Sequence, residues 1–183
     1  MANAPVSAGD PWEHQMAKQW IWVSAAASLL AGCATNYDGI STVPAGAVER
    51  VTYETGPCYG TCPVYRIVVG ADGKGVFTGI RNTAVTGERA FTLSAGQYRA
   101  FADALSPYRP STGDRIYQPG NALCANAPTD MPSVDIRWAI SRSEPQRLYF
   151  YYGCDREKNR AMATALGNAP DLLPLEQLIG PRP

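Results

Sequence analysis

The five cysteines of this 183-residue chain are the residues whose positions point most directly to a chemical role. A thiol can carry a lipid, close a disulfide, bind a soft metal ion or exchange disulfides. One cysteine, Cys33, ends an apolar segment near the start of the chain, and the others lie well downstream. An even number of cysteines in an exported chain indicates disulfides, because the extracytoplasmic space is oxidising. The downstream cysteines are Cys58, Cys62, Cys124 and Cys154.

The apolar segment before Cys33 has the features of an export signal. Residues 20–30 read WIWVSAAASLL and carry no charge. This run is too short to cross a bilayer as a helix, which takes about 20 residues, and it matches the hydrophobic region of a signal peptide. It ends in Leu30-Ala31-Gly32-Cys33, which resembles the bacterial lipobox. The resemblance implies that the Cys33 thiol receives a diacylglyceryl group and that the chain is cleaved before this residue.

The residues ahead of this segment predict a later start of translation than the first methionine. Residues 1–15 contain Asp10 and Glu13 and no lysine or arginine, which is unlike the basic leader of a signal peptide. Lys18 lies two residues before the apolar run, as expected for such a leader. We therefore expect translation to begin at Met16.

Lipidation at Cys33 would divide the chain into three parts. Residues 1–32 are predicted to be the signal peptide, residues 33–47 a polar lipidated tether, and residues 48–183 a single α+β domain. Two or more acyl chains hold a protein stably on a membrane, so the membrane is a predicted partner. Ala34 follows the cysteine, where aspartate favours the inner membrane in some Gram-negative bacteria. The expected location is the outer membrane, facing the periplasm, with the cell surface as the open alternative.

Composition limits the classes of function. Lysine and arginine together number 16, as do aspartate and glutamate, and no basic cluster indicates a nucleic-acid surface. His14 is the only histidine, and it precedes the expected start. A Ser-His-Asp or Cys-His nucleophile would therefore have no base. We predict no catalytic residue and no cofactor, and we expect a binding or structural role with an envelope protein as partner; an enzyme of another class stays open.

The most distinctive stretch surrounds two of the cysteines. Residues 56–65 read GPCYGTCPVY, with Cys58 and Cys62 flanked by prolines. This stretch resembles an uncharacterised family of bacterial envelope proteins that share the pattern P-C-[FY]-G-x-C-P-x-Y. The resemblance extends over residues 48–166 and implies a fold and a compartment, but no activity. The other two downstream cysteines lie outside the motif, which indicates that they pair with each other.

Three chemistries stay open for Cys58 and Cys62. A structural disulfide is favoured, because Gly60 and the flanking prolines suit a tight bend. Copper binding is the second, since the C-x-x-x-C-P spacing resembles the copper site of Sco-type assembly proteins and thiolates suit Cu(I). Those proteins place a helix after the cysteines, however, whereas a strand is predicted here. A thiol redox switch is the third, although the spacing is not C-x-x-C.

Hydrophobic periodicity predicts an α+β fold, in which an antiparallel sheet of hairpins carries two or three helices on one face. Asp72-Gly73 between two alternating runs is a strong hairpin signal. Residues 107–132, rich in proline, glycine and asparagine, are predicted to be irregular. Strands are predicted around residues 50–54, 64–69, 75–80, 89–93, 134–140 and 148–152.

Capping residues and apolar spacing predict the helices. Ser94 with Gln97 three residues later is a capping-box pattern, and it predicts the start of the first helix. Asp155 is expected to cap the second helix. Asp171 is expected to cap the third, which should end at Ile179.

Aromatic residues in the last predicted strand indicate a binding surface. Tyr149 and Tyr151 are expected to face outward beside Arg147, while the alternate residues join the core. Exposed tyrosine next to arginine is a common composition of protein interfaces. The alternative is a sheet face covered by a helix or a loop.

Replacement of Cys33 by serine tests the predicted anchor. Cys33→Ser should abolish labelling by a palmitate analogue and release the protein from membranes, because serine offers no thiol to the diacylglyceryl group. Metabolic labelling and membrane fractionation measure the two effects. Cys58→Ser is the control and should leave labelling unchanged. Wild-type labelling of the Cys33→Ser protein would show the prediction to be wrong.

Overall fold

A seven-stranded sheet organises the part of the chain that this computed structural model describes, residues 48–141 and 143–181. The predicted signal peptide, Cys33 and the tether lie outside these residues. Along the sheet the strands follow the order β4-β3-β2-β1-β6-β7-β5. The strands are β1 (Arg50–Thr55), β2 (Val64–Gly70), β3 (Lys74–Arg81), β4 (Gly87–Thr92), β5 (Asp114–Tyr117), β6 (Ser133–Ala139) and β7 (Gln146–Tyr151).

Helices complete the described fold. They are α1 (Ala95–Leu105), α2 (Arg160–Asn168) and α3 (Glu176–Ile179), with 3-10 turns at Ser106–Tyr108 and Ala169–Leu172. Neighbouring strands are antiparallel except for β5 and β7, which are parallel. The fold is therefore α+β with a mostly antiparallel sheet. Among the described residues, no helix combines the length and the apolar character needed to cross a membrane.

The turn between β2 and β3 forms where the Asp-Gly pair predicts it. Gly73 has a φ of +76°, a left-handed conformation that glycine adopts without a steric penalty. Its N–H donates to the carbonyl of Gly70 at 2.9 Å. The hairpin predicted at this point is present.

Alternation along the strands places one set of side chains in a common hydrophobic core. In β1, Val51 and Tyr53 are buried, whereas Thr52 and Glu54 remain partly exposed. Complete burial of one large apolar side chain contributes about 1.5–3 kcal/mol. A shift of β1 by one residue would exchange the two sets, so burial determines the register.

Tyr53 connects the sheet to two helices. Its ring lies edge-on to that of Phe101 in α1, with 6.3 Å between the ring centroids. Its hydroxyl donates to the carbonyl of Leu166 in α2 at 2.8 Å. A buried hydroxyl is costly without such a partner. The side chain therefore supplies both apolar packing and a directional bond between layers.

The start of α1 follows its sequence signal. The N–H of Gln97 donates to Oγ of Ser94 at 3.2 Å, and the N–H of Ser94 donates to Oε1 of Gln97 at 2.9 Å. These two bonds form a capping box and satisfy two of the backbone N–H groups that a helix start leaves unpaired. The prediction for this helix is confirmed.

The two aspartates expected to cap the later helices do not do so. Helix α2 begins at Arg160, and Asp155 instead directs its carboxylate to the backbone N–H groups of a neighbouring loop. Asp171 lies within a 3-10 turn, and α3 begins only at Glu176. Both cap predictions are wrong; at Asp155 the reason is that an aspartate binds whichever backbone N–H groups the tertiary structure brings to it.

The segment predicted to be irregular contains β5. Asp114–Tyr117 pair in parallel with residues 147–150 of β7. These four residues are exposed or partly buried and show no clear alternation. A strand of this kind depends on pairing with the sheet more than on its own pattern, so the sequence alone did not reveal it.

Removal of the Tyr53 hydroxyl should destabilise the domain. Tyr53→Phe deprives the buried carbonyl of Leu166 of its side-chain donor and should lower the free energy of unfolding by about 1–2 kcal/mol. Denaturant unfolding followed by circular dichroism measures the change. Tyr59→Phe is the control, because Tyr59 is largely exposed, and its effect should stay below about 0.5 kcal/mol. Equal effects of the two variants would contradict the prediction.

Candidate functional site

Two disulfides lie at the same end of the sheet, where β1 and β7 end and β2 and β6 begin. Cys58 is bonded to Cys62 in the connection between β1 and β2, with 5.8 Å between the Cα atoms. Cys124 is bonded to Cys154, which follows β7, with 4.8 Å between the Cα atoms. These are the two pairs expected from the sequence. Geometry of this kind is ordinary for disulfides.

The first disulfide closes a short loop, residues 58–62, which we call the Cys58–Cys62 loop. Tyr59 is at its tip with 88% of its surface exposed, and Gly60 follows with a φ of +126°. A non-glycine residue rarely adopts that backbone conformation. The loop therefore turns at Gly60 and presents the tyrosine to solvent.

Hydrogen bonds anchor the Cys58–Cys62 loop to its surroundings on two sides. The N–H of Tyr59 donates to the carbonyl of Asp130 at 3.1 Å, and Nδ2 of Asn82 donates to the carbonyl of Cys62 at 3.2 Å. Asn82 and Asp130 both have positive φ values, +55° and +65°. The backbone of the loop is thus held by three separate devices: a covalent bond and two contacts from other loops.

Thr55 reinforces the base of the same loop. Its Oγ1 donates to the carbonyl of Pro63 at 2.9 Å and accepts from the N–H of Tyr65 at 3.0 Å. The end of β1 and the start of β2 are therefore joined independently of the disulfide. The loop projects from a base that these hydrogen bonds hold together.

The second disulfide is buried and belongs to the core. Cys124 is 3% exposed and Cys154 is 0% exposed. The buried Asn159 donates through Nδ2 to the carbonyl of Cys154 at 2.8 Å. Asp155, with a φ of +39°, accepts from the N–H groups of Ala125 and Asn126 at 3.0 and 3.3 Å. These bonds fix the loop before β6 to the end of β7.

The predicted binding surface on β7 is largely engaged within the chain. The hydroxyl of Tyr151 accepts from the N–H of Met131 and donates to the carbonyl of Pro128, both at 2.9 Å. Arg147 donates to Asp135 at 2.6 Å, and its guanidinium lies 5.8 Å from the ring centroid of Tyr149. The hydrogen bond with Asp135 raises the pKa of Arg147 above its ordinary value. Tyr151 holds a loop, and Arg147 has an internal partner.

A polar cluster that the sequence did not indicate joins Glu49, at the start of the domain, to Tyr98 in α1, whose hydroxyl donates to the Glu49 carboxylate at 3.4 Å. Nη1 of Arg109 donates to Glu49 at 2.7 Å, and its guanidinium lies 5.6 Å from the ring centroid of Trp138. Burial, with the neighbouring carboxylate of Glu49, raises the pKa of Tyr98 to about 12. The neutral phenol is thus favoured by folding, and its contribution to stability should be lost as pH rises from about 10 to about 12. The residues of this cluster are too far apart in the sequence for a local pattern to indicate it.

The described residues contain no cluster of three or more histidine, cysteine or acidic side chains placed to hold a metal ion. Cys58 and Cys62 are bonded to each other, so neither sulfur is a thiolate in this structure. Copper binding at this pair would first require reduction of the disulfide.

Comparison with known proteins identifies the domain but no activity. Residues 49–170 match the model of a family described as a domain of unknown function (DUF6438). The matched range contains both disulfides, and it begins after Cys33. No curated protein matches the sequence.

The two disulfides should differ in their sensitivity to reduction. Mild reductant should open Cys58–Cys62 in the folded protein, because thiol–disulfide exchange requires access to a sulfur and this pair is only half-buried. The buried Cys124–Cys154 should open only when the domain unfolds. Alkylation followed by peptide mapping at increasing reductant concentration measures the order. Simultaneous alkylation of all four cysteines would contradict it.

Proposed function

We propose that this chain, which belongs to the DUF6438 family of domains of unknown function, is a lipid-anchored protein of the bacterial cell envelope. We further propose that it binds another envelope protein through Tyr59 and the Cys58–Cys62 loop. The observation that carries the proposal is the presentation of a nearly fully exposed tyrosine by a loop that is held covalently and by hydrogen bonds.

The compartment is inferred from two independent features. The segment ending in Leu30-Ala31-Gly32-Cys33 resembles a lipobox, and two disulfides persist where thiols are oxidised. Lipid on Cys33 would hold the domain at the membrane through a tether of 33–47, facing the periplasm of an outer membrane or the cell surface. The role proposed for the domain is binding, without catalysis.

The arrangement of layers leaves a surface for such a partner. We infer that the helices cover one face of the sheet, since Tyr53 contacts both α1 and α2. The opposite face carries ion pairs such as Glu54 with Arg66, at 2.7 Å, which need no covering layer. The Cys58–Cys62 loop lies at the end of the sheet, beyond both faces.

Tyrosine suits the proposed contact for physical reasons. It offers a large area with few rotatable bonds and a hydroxyl that can hydrogen-bond, so it loses little entropy on binding. A loop closed by a disulfide is already ordered, which reduces the entropic cost further. The backbone bonds to Asp130 and from Asn82 contribute to the same ordering of the loop.

A second candidate function uses the same loop for thiol–disulfide exchange or, after reduction, for metal binding. One observation favours it: Cys58 and Cys62 are half-buried, whereas the other disulfide is buried. The two candidates differ in which side chain matters. Tyr59→Ala should weaken partner binding and leave exchange intact, whereas paired serine replacements at 58 and 62 should abolish exchange.

Site-directed photocross-linking in intact cells tests the binding proposal. A photoreactive benzoylphenylalanine at Thr61, next to the tip of the loop, should yield a discrete adduct with an envelope protein. Tyr59→Ala in the same chain should reduce the yield about tenfold or more, because interface tyrosines of this kind contribute about 2 kcal/mol or more.

The matched control places the photoreactive residue at Lys74, the first residue of β3, which lies beside the turn at the opposite end of the sheet. This variant should give no discrete adduct. The proposal fails if the Thr61 adduct is absent, if it survives Tyr59→Ala at full yield, or if Lys74 gives the same product.

A further inference from the structure

Strand β4 forms one edge of the sheet, and its free backbone groups can be identified from the hydrogen bonds at the ends of the ladders. The N–H of Leu93 donates to the carbonyl of Gly73 at 2.8 Å, so the backbone groups of Leu93 point toward β3. Successive residues of a strand direct these groups to opposite sides. Glu88, Ala90 and Thr92 therefore direct their N–H and C=O groups away from the sheet.

The same alternation holds at β1 in the middle of the sheet, which supports the assignment. The N–H of Ala71 donates to the carbonyl of Glu49 at 3.0 Å, beside the β1–β2 ladder. On the other side of β1, the N–H of Gly56 donates to the carbonyl of Ser133 at 2.8 Å. Odd-numbered residues of β1 thus bond to β2 and even-numbered residues to β6.

The outward groups of β4 are largely unpaired in the described part of the chain. Within residues 48–141 and 143–181, the carbonyl of Glu88 accepts from Nη1 of Arg89 at 2.7 Å, and no other hydrogen bond reaches the outward groups of the strand. The strand is regular, with six residues paired to β3. It contains neither proline nor a bulge, two of the devices that prevent an edge from pairing.

The other edge of the sheet is protected. Strand β5 has only four residues, Asp114–Tyr117. The side chain of Asn121 donates to the carbonyl of Ile116 at 2.6 Å, which occupies a backbone acceptor of that strand. The two edges therefore differ, and β4 is the one available for a further strand.

A row of apolar side chains leads to the β4 edge on the face of the sheet that carries the Glu54–Arg66 ion pair. Ala90 stands opposite Val76, and Val76 stands opposite Val68. Val76 is 37% exposed, which is high for a valine in the middle of a strand. The row ends abruptly at Ala90, and a neighbouring strand with an apolar residue opposite Ala90 would continue it.

We propose that β4 pairs antiparallel with β4 of a second copy of this chain, about a two-fold axis through Ala90, and so joins the two sheets. This register directs the outward groups of Ala90 to those of the other Ala90, and the groups of Glu88 to those of Thr92. The two apolar rows become continuous across the axis.

Charge favours this register over the one whose two-fold axis passes through Arg89. An axis through Arg89 would place two arginines directly opposite each other, which is destabilising. The axis through Ala90 instead places Arg89 opposite Phe91, whose half-buried ring can accept a cation–π contact. In the dimer, the N–H of Thr92 in the second copy would replace Nη1 of Arg89 as the donor to the carbonyl of Glu88. The guanidinium of Arg89 would then be free to contact the Phe91 ring of the second copy.

A proline replacement tests the pairing without damage to the fold. Because the N–H of Ala90 points away from β3, Ala90→Pro removes no bond within the chain and should retain the circular dichroism of the parent. It should weaken dimerisation about tenfold or more, since it removes the two central hydrogen bonds between copies. Ala90→Ser retains the N–H and is the matched control, which should dimerise like the parent.

Sedimentation equilibrium measures both variants in the full chain with Cys33→Ala, in mild detergent, so that neither acyl chains nor a further thiol contributes.

Single cysteine replacements in β4 then test the register. Ala90→Cys should form a disulfide-linked dimer, because directly opposite Cα atoms lie within disulfide reach. Thr92→Cys should not, because its counterpart in the other copy would be far along the strand. A monomeric parent, an Ala90→Pro protein that dimerises as tightly as the parent, or equal cross-linking by the two cysteines would overturn the proposal.

Discussion

Strand β1 bonds to β2 through its odd-numbered residues and to β6 through its even-numbered residues, and so joins the two halves of the sheet. Its buried residues cannot shift register without exposing Tyr53, which also contacts both α1 and α2. The ends of four strands are thereby brought together, and the two disulfides lie at that end. The geometry of the candidate site therefore depends on the pairing of this central strand.

The two disulfides differ because their surroundings differ. Cys124–Cys154 is enclosed by the core and by the bonds of Asp155 and Asn159, so it joins loops whose own backbones lack regular pairing. Cys58–Cys62 is half-buried and closes a loop whose base is already joined by Thr55. Its contribution is to order the segment that carries Tyr59, which is a property useful in binding.

Much of the fold could be predicted because the relevant signals are local. Alternation along the chain, the Asp-Gly turn and the Ser94–Gln97 capping box each act within a few residues, and each appears where expected. The caps expected at Asp155 and Asp171 and the irregular segment expected where β5 forms were wrong. Asp155 and β5 bond to groups far away in the sequence, which local patterns do not report.

The sequence by itself determined the α+β class and the hairpin order, because both depend on residue types at short spacing. It also predicts a lipid on Cys33 from a pattern of the same kind. Tertiary structure decided which side chains are free. Tyr151 and Arg147, expected at a surface, bind Pro128 and Asp135, whereas Tyr59 projects into solvent. Exposure is set by the partners that folding supplies to each polar group, and these partners come from strands and loops that are distant in the chain.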